Sequence, residues 1–235
     1  MDNALPILIF VAIAAVVIFL GVLGVKAERE RVRALTDFAR RLGFSFSQQK
    51  DRTLSLQYAF LTQLNQGDNR YAFDVLDGNF RDRGVRAFCH HHQVTTRNKN
   101  GTQTTHYHQA VFTVELPLVA PELRIYPENI LHRFGQALGF SDINFESVEF
   151  SRAFVVKCEN KKFAYDVLHS RAMEFLLRYP SLTYEMEGNN FAIVTSGKLS
   201  AGEVEKHLNV LNDFIDLFPS YLLEQSGASV PPTLS

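Results

Sequence analysis

The sequence predicts an α+β protein, with one N-terminal transmembrane helix followed by a mixed domain of antiparallel hairpins packed with helices. Three observations predict it. Residues 4–25 carry no charged side chain. Residues 29–42 repeat apolar side chains at spacings of three and four. The rest of the chain mixes β-patterned hairpins with helical stretches, without the strict strand–helix–strand alternation of a parallel sheet.

The run from Ile7 to Leu20 is apolar without interruption. A helix needs roughly 20 such residues to cross the hydrocarbon core, where every backbone polar group must be satisfied internally. Pro6 falls in the expected first turn, where its missing N–H costs nothing, and Gly21 and Gly24 are tolerated in a membrane helix. A cleaved signal peptide would carry a basic leader and an apolar core of only about 7–15 residues. Here Asp2 is the sole charge before the run and no small-residue cleavage site follows it, so residues 1–25 are expected to remain as an anchor. Lys26, Arg29, Arg31, Arg33, Arg40 and Arg41 lie just after the span, and no Lys or Arg precedes it. That asymmetry predicts an outside N-terminus and a cytoplasmic domain, with the lipid bilayer as a partner. Cys89 and Cys158, with no evident need to pair, fit a reducing compartment.

Residues 26–43 follow as a juxtamembrane amphipathic helix. Val32, Leu35, Phe38, Ala39 and Leu42 form its stripe and Gly43 stands at its stop. Its opposite face is either solvated or sets its arginines against anionic headgroups, each worth about 1 kcal/mol.

Residues 44–225 form the α+β domain, with a sub-boundary near 117–140 left open, and the polar stretch 226–235 is expected to be disordered. Strands are expected at 44–47 and 70–76, the latter with Tyr71, Phe73 and Val75 on one face and a turn at Asp77-Gly78-Asn79. The strongest local signal is a long hairpin, 85–96 and 102–116, about Asn100-Gly101, the preferred pair of a type I′ turn. Odd positions of its first strand then oppose even ones of the second, so Val85, Ala87 and Cys89 share a face with Ala110, Phe112, Val114 and Leu116. A proline-punctuated connection follows over 116–127. Helices are expected at 127–138, 161–169, 171–179 and 202–218, strands at 145–150 and 153–158, and a second hairpin, 182–187 with 190–195, over Gly188-Asn189.

Several of these segments resemble an uncharacterised bacterial family of single-span, membrane-anchored proteins. The resemblance rests on the strand and turn over 71–78, the run Asp142-Ile143-Asn144-Phe145-Glu146-Ser147 leading into Phe150-Ser151-Arg152-Ala153-Phe154-Val155-Val156, and Phe163-Ala164-Tyr165-Asp166-Val167-Leu168 with Met173-Glu174-Phe175-Leu176. It implies a bacterial source, inner-membrane attachment and a cytoplasmic α+β domain. The family has no assigned activity, so it supplies no site residues.

Composition narrows the function classes. Of 235 residues, 46% are hydrophobic and the formal net charge is -1, which excludes general disorder and argues against a dedicated nucleic-acid binder. Two cysteines cannot make a disulfide framework. Motifs for metalloproteases, calcium loops, nucleophile elbows and phosphate-binding glycine loops are all missing, so no catalytic residue and no cofactor is assigned. The one concentration of chemistry is on the long hairpin: His90, His91 and His92 on one strand, His106 and His108 on the other, and Cys89 beside them. In the predicted register His91 opposes Ala110 and lies diagonal to His108. Cys89, His91, His106 and His108 then share a face and could hold zinc or another transition metal; the stronger reading of the histidines is a polar, solvent-exposed hairpin tip, and a pH-sensitive contact is a third. The preferred function is non-enzymatic, an interaction or scaffold protein with a protein partner on the cytoplasmic face of the inner membrane. The competing reading is a membrane-tethered metal protein or enzyme built on the histidine hairpin.

Overall fold

In the computed structural model α1 (Ala4–Leu42) is one unbroken helix of 39 residues, about 58 Å long at 1.5 Å per residue. The expected span and the amphipathic helix are therefore a single element. The structure describes residues 4–99, 101–129 and 143–224, with the side chains of 4–8, 11 and 224 outside that set. The expectation of a membrane span is met here only in its helicity: among the described residues, no helix is long and apolar enough to cross a membrane. From Ile9 to Val25 the large apolar side chains of α1 are exposed, whereas Leu35, Phe38 and Ala39 are buried in the domain core. The helix stops as its sequence requires. Gly43 takes a φ of +70°, and the Phe44 N–H reaches back to the Ala39 carbonyl at 2.8 Å, the Schellman arrangement.

Six strands form one antiparallel sheet in the order β1 (Ser45–Ser47), β2 (Asp68–Phe80), β3 (Arg83–Asn98), β4 (Gly101–Pro127), β5 (Phe154–Cys158), with β6 (Thr183–Ser196) also paired to β4. Two turns fall elsewhere than expected. Asp77-Gly78-Asn79 lies inside β2, because Gly78 is needed for close approach: a Cβ there would stand 2.4 Å from the Phe44 ring. The reversal is instead at Arg81-Asp82, both at positive φ (53° and 61°), the backbone of a type I′ turn. In the long ribbon the last pair is Asn98 with Gly101, so the ladder is centred one residue earlier than a turn on Asn100-Gly101 would place it. Odd still faces even, and the two apolar sets still share a face, but His91 now opposes His108 directly.

A β-bulge corrects the reading of β2. Phe73 pairs with Cys89, yet Leu76 pairs with Ala87, so β2 carries one extra residue, centred on Asp74 at a φ of 51°. Phe73 and Val75 consequently lie on opposite faces: Phe73 packs with the larger core and Val75 with the smaller.

The expected second hairpin at Gly188-Asn189 does not form. Residues on both sides of it belong to β6 and pair with β4, from Gln109 with Ser196 to Ile125 with Tyr184. At about 3.3 Å per residue, the 27 residues of β4 would span about 90 Å if straight. Irregular pairing between Glu115 and Leu123, opposite Gly188 at a φ of +61°, is where the β4–β6 pair departs from a regular ladder. The proline-punctuated segment expected as a connection is thus the irregular middle of β4. Pro127 ends that strand rather than opening a helix, and the remainder of the helix expected over 127–138 lies outside the described residues from 130 on, as does the tail at 226–235.

The sheet is covered unequally. One face packs against the second half of α1 and against α3 (Val148–Ala153), α4 (Lys161–Val167), α5 (Ser170–Leu177) and α6 (Ala201–Ile215), around Phe112, Phe150, Phe191 and Phe214. The segment expected as a strand over 145–150 contributes α3 instead: the Ser147 hydroxyl accepts from the Phe150 N–H at 3.2 Å and nucleates a turn of helix as an N-cap. Among the described residues, the other face carries only α2 (Arg52–Gln57) and a 3-10 turn (Thr62–Asn65), which bury Leu54, Tyr58, Leu61 and Leu64 on Ala72, Phe88, Val111 and Val194. α7 (Ser220–Glu224) closes the described chain.

α1 is fastened to the sheet by Arg31. Its guanidinium donates to Glu28 (2.7 Å) and Asp74 (2.5 Å) and to the Leu199 carbonyl at 3.0 Å, while Lys198 also reaches Glu28 at 3.2 Å. Burial works against the charged Arg31, but its bonds to Glu28 and Asp74 outweigh it and raise its pKa. The Arg31 hydrogen bond holds Glu28 down at about 2. Removing one partner of a buried ion pair strands the other. Arg31→Ala is expected to lower the unfolding free energy by about 3–5 kcal/mol in urea denaturation. Adding Asp74→Asn, which removes the stranded charge and tolerates a positive φ, is expected to recover part of that loss.

Candidate functional site

The four residues singled out as metal ligands do lie on one face, the helix-covered side of the β3–β4 ribbon. His91 Nε2 and His106 Nδ1 share a hydrogen bond of 3.0 Å, and His91 Nδ1 meets the Asn69 carbonyl at 3.1 Å. His91 also stacks on Tyr71, ring centroids 4.5 Å apart, and His108 meets Phe73 edge-on at 5.8 Å. Each ring nitrogen of His91 is thus already engaged. Cys89 is buried, and its sulfur accepts the Leu199 N–H at 3.2 Å. Burial pushes this thiol up to about 12. Cys158 is likewise raised by burial. Among the described residues, no group of three or more His, Cys, Asp or Glu side chains is placed to hold a metal ion.

Only part of the cluster is an exposed hairpin tip: His90, His91 and His92 are buried, whereas His106 is exposed and His108 half-buried. Sequence reasoning sent His90 and His92 to the second face of the ribbon without assigning them a role. There His90 Nε2 meets the Ser55 hydroxyl of α2 at 3.1 Å, and His92 lies nearly parallel to Tyr107, at 5.2 Å and 14°. Burial, with His92 adding to it, depresses His90 to about 4, and burial lowers His92 as well. Both are therefore neutral imidazoles near pH 7.

Beyond His92 this face opens into a cavity of about 750 Å³. The 3-10 turn supplies Gln63 and the loop after it Gln66; β3 supplies His92 and Val94, and β4 supplies Tyr107 and Gln109. Residues from both ends of β6, Thr183 and Val194 among them, contribute to the same wall, so the sheet curls around this space. Gly67 holds the loop down: a Cβ there would stand 2.3 Å from the Gln93 carbonyl oxygen. The even–odd alternation of the ribbon could have flagged His92, Tyr107 and Gln109 as neighbours on one face. Nothing local marks the contribution of residues 63 and 183.

A second buried polar centre lies farther along β6. The Glu185 carboxylate is 1% exposed and accepts from the Thr62 N–H at 3.1 Å and the Thr62 hydroxyl at 3.3 Å. That hydroxyl in turn accepts from Tyr126 at 3.2 Å. Burial dominates these bonds and the nearby Arg124, and raises Glu185 to about 7. Glu185 and His90 therefore act on stability with opposite signs. Glu185 keeps its proton in the fold between about 4.5 and about 7, so its contribution falls as pH rises through that window. His90 stays neutral in the fold from 6.5 down to about 4, so its contribution falls as pH drops through that window. Each carries on the order of 3 kcal/mol. In urea denaturation between pH 4 and 8, Glu185→Gln is expected to leave stability rising with pH up to about 6.5 and to exceed the parent most above pH 7. An unchanged pH profile would refute the assignment.

No family model and no curated protein matches this sequence. Among solved structures, the fold is similar to that in the crystal structure of the mycobacterial trehalose monomycolate transport factor A, TtfA, with a TM-score of 0.55 and 12% sequence identity, covering 87% of this chain and 99% of that one. At that identity the likeness is one of fold: an α+β domain of antiparallel sheet and helices.

Proposed function

We propose that this chain is a membrane-anchored, non-enzymatic interaction protein, held by the first part of α1 on the cytoplasmic face of a bacterial inner membrane, where it serves a transport assembly. The observation that carries the reading is the division of α1. Its second half is built into the domain core, while its first half extends away with Phe10, Ile13, Val16, Ile18, Phe19 and Val22 all more than half exposed. Such a continuous apolar surface is costly in water and marks a membrane or protein contact. Leu5, Ile7, Leu8 and Val11, whose side chains lie outside the described set, are apolar in sequence, and residues 4–25 then make an uncharged run of about the 20 residues a bilayer requires.

The basic side of the span supports a cytoplasmic domain. Arg31 and Arg41 are tied into the fold, to Asp74 and Glu205, whereas Lys26, Arg29 and Arg33 line a groove on α1 next to Val22 and Val25, where headgroups would lie. A non-catalytic role is supported by the chemistry of the candidate groups: both thiols are raised by burial and Glu185 is enclosed by Thr62 and Tyr126. The transport context rests on the fold shared with TtfA, which is named a transport factor.

The full chain is expected to stay with the membrane pellet after carbonate extraction. Val16→Arg/Val17→Arg, which places two charges at the span centre at roughly 2.5–3.5 kcal/mol each, is expected to release it. A C-terminal alkaline phosphatase fusion is expected to be inactive and a C-terminal fluorescent protein bright. Extraction of the parent by carbonate would overturn the anchor, and an active phosphatase fusion would overturn the orientation.

A further inference from the structure

We infer that the cavity bordered by the 3-10 turn, the β3–β4 ribbon and β6 is a binding site for a small, uncharged, polyhydroxylated ligand of the saccharide or polyol class. Three observations lead there. First, the walls hold hydrogen-bonding groups that the protein leaves unused. Gln63 Nε2, His92 Nδ1 and Gln109 Oε1 are buried without a hydrogen-bond partner, and so is His90 Nδ1 behind them. Gln109 lies directly across the ladder from His90, and its side chain is close enough to bear on the His90 imidazole as a weak hydrogen-bond partner, though without full hydrogen-bond geometry. His92 itself is 3% exposed. A buried polar atom with no partner costs about 1–3 kcal/mol, and a wall that holds Gln63 Nε2, His92 Nδ1 and Gln109 Oε1 is a standing demand for a ligand or water that satisfies them.

Second, the unused groups are mixed in kind. The Gln63 amide nitrogen donates, the Gln109 amide oxygen accepts, and an imidazole nitrogen serves as either according to its tautomer. Hydroxyl groups offer both functions at one atom, and rows of them on a small ring meet such a mixed wall. The wall also carries Ser181, Thr183 and Ser196. Among the described residues, no Asp, Glu, Lys or Arg lines the cavity, and both His92 and His108 are shifted toward the neutral form, chiefly by burial. A carboxylate, phosphate or ammonium ligand would therefore give up its hydration without a counter-charge. An acyl chain fits no better, because it would leave the buried amide and imidazole atoms unpaired.

Third, the cavity has a flat platform. Tyr107 lies against His92 with its ring 14° from parallel and is 46% exposed, so one aromatic face is held in place by the other. The C–H face of a sugar ring packs on such a surface while its hydroxyls turn to the polar wall. A volume of about 750 Å³ lies within the range of small-molecule sites.

The test uses the full chain in a detergent without a sugar headgroup. Calorimetric titration is run with glucose, galactose, mannose, N-acetylglucosamine, sucrose, maltose and myo-inositol, and with glucuronate and glucose 6-phosphate as anionic controls. At least one neutral compound is expected to bind with a Kd below about 10 mM and to shift the His92 imidazole resonances. Gln109→Leu and the surface change Tyr107→Ala are each expected to weaken it at least about tenfold. His91→Ala, on the opposite face of the ribbon, is expected to leave it unchanged. Tyr107→Ala removes a half-exposed ring, so its effect does not depend on whether Gln109→Leu folds. The inference is overturned if no neutral compound binds and the buried atoms are served by water alone, if binding survives both substitutions, or if an anionic control binds more tightly than its neutral parent.

Discussion

β3, β5 and β6 all depend on the backbone hydrogen bonds of β4, and β2 reaches it through β3. The first half of β4 is held between β3 and the end of β6, and its last residues between β5 and the beginning of β6. A straight strand of that length would outrun any core that 200 residues can build. The irregular stretch from Glu115 to Leu123, opposite Gly188, lets the β4–β6 pair bend without losing its partners. That bend has two consequences. It presents a broad face to the helices, where Phe112, Phe191 and Phe214 meet. It also curls the opposite face, so that Thr183 and Val194, eleven residues apart on one strand, line a single cavity.

The unequal covering of the sheet explains where unsatisfied chemistry collects. The helical side has enough apolar surface to enclose most of what it touches: His91 is spent on His106 and Tyr71 and His108 on Phe73, while His207 packs on Phe112 with its Nδ1 unpaired. The other side is roofed by one short helix and one 3-10 turn. These are too small to reach the outer part of the ribbon, and their polar side chains face a polar strand surface across a gap. Buried groups without partners are the expected result. The same ribbon is thus closed on one face and open on the other.

α1 links this domain to whatever holds its N-terminal half. Because Arg31 binds Glu28, Asp74 and the Leu199 carbonyl together, the helix enters the domain as a fixed arm rather than a tether. The β-bulge at Asp74 contributes directly: the extra residue in β2 is the carboxylate that meets Arg31. An irregularity in a strand and an arginine in a helix 43 residues away are two sides of one joint.

The sequence by itself determined the local elements whose signals are short-ranged. The apolar run and heptad-like stripe of α1, its Gly43 stop, the helices α4 to α6 and the parity of the long ribbon follow from side-chain period and capping chemistry. Parity survived a shifted turn because a displacement of one residue in the ladder centre moves the pairing by two and leaves each side chain on its face. Tertiary structure decided what depends on a distant partner. Gly78 lies in a strand because the Phe44 ring needs its missing Cβ. Gly188-Asn189 does not turn back because both flanks pair better with β4 than with each other. Cys89, His91, His106 and His108 were legible as one face, and they are one; the burial of Cys89 and His91, and the diversion of His91 to His106 and Asn69, were not legible. Beyond the ribbon neighbours His92, Tyr107 and Gln109, the cavity was outside local reach. Its residues come from segments over a hundred positions apart, and only the closure of the sheet brings residues 63, 92, 109 and 183 to one wall.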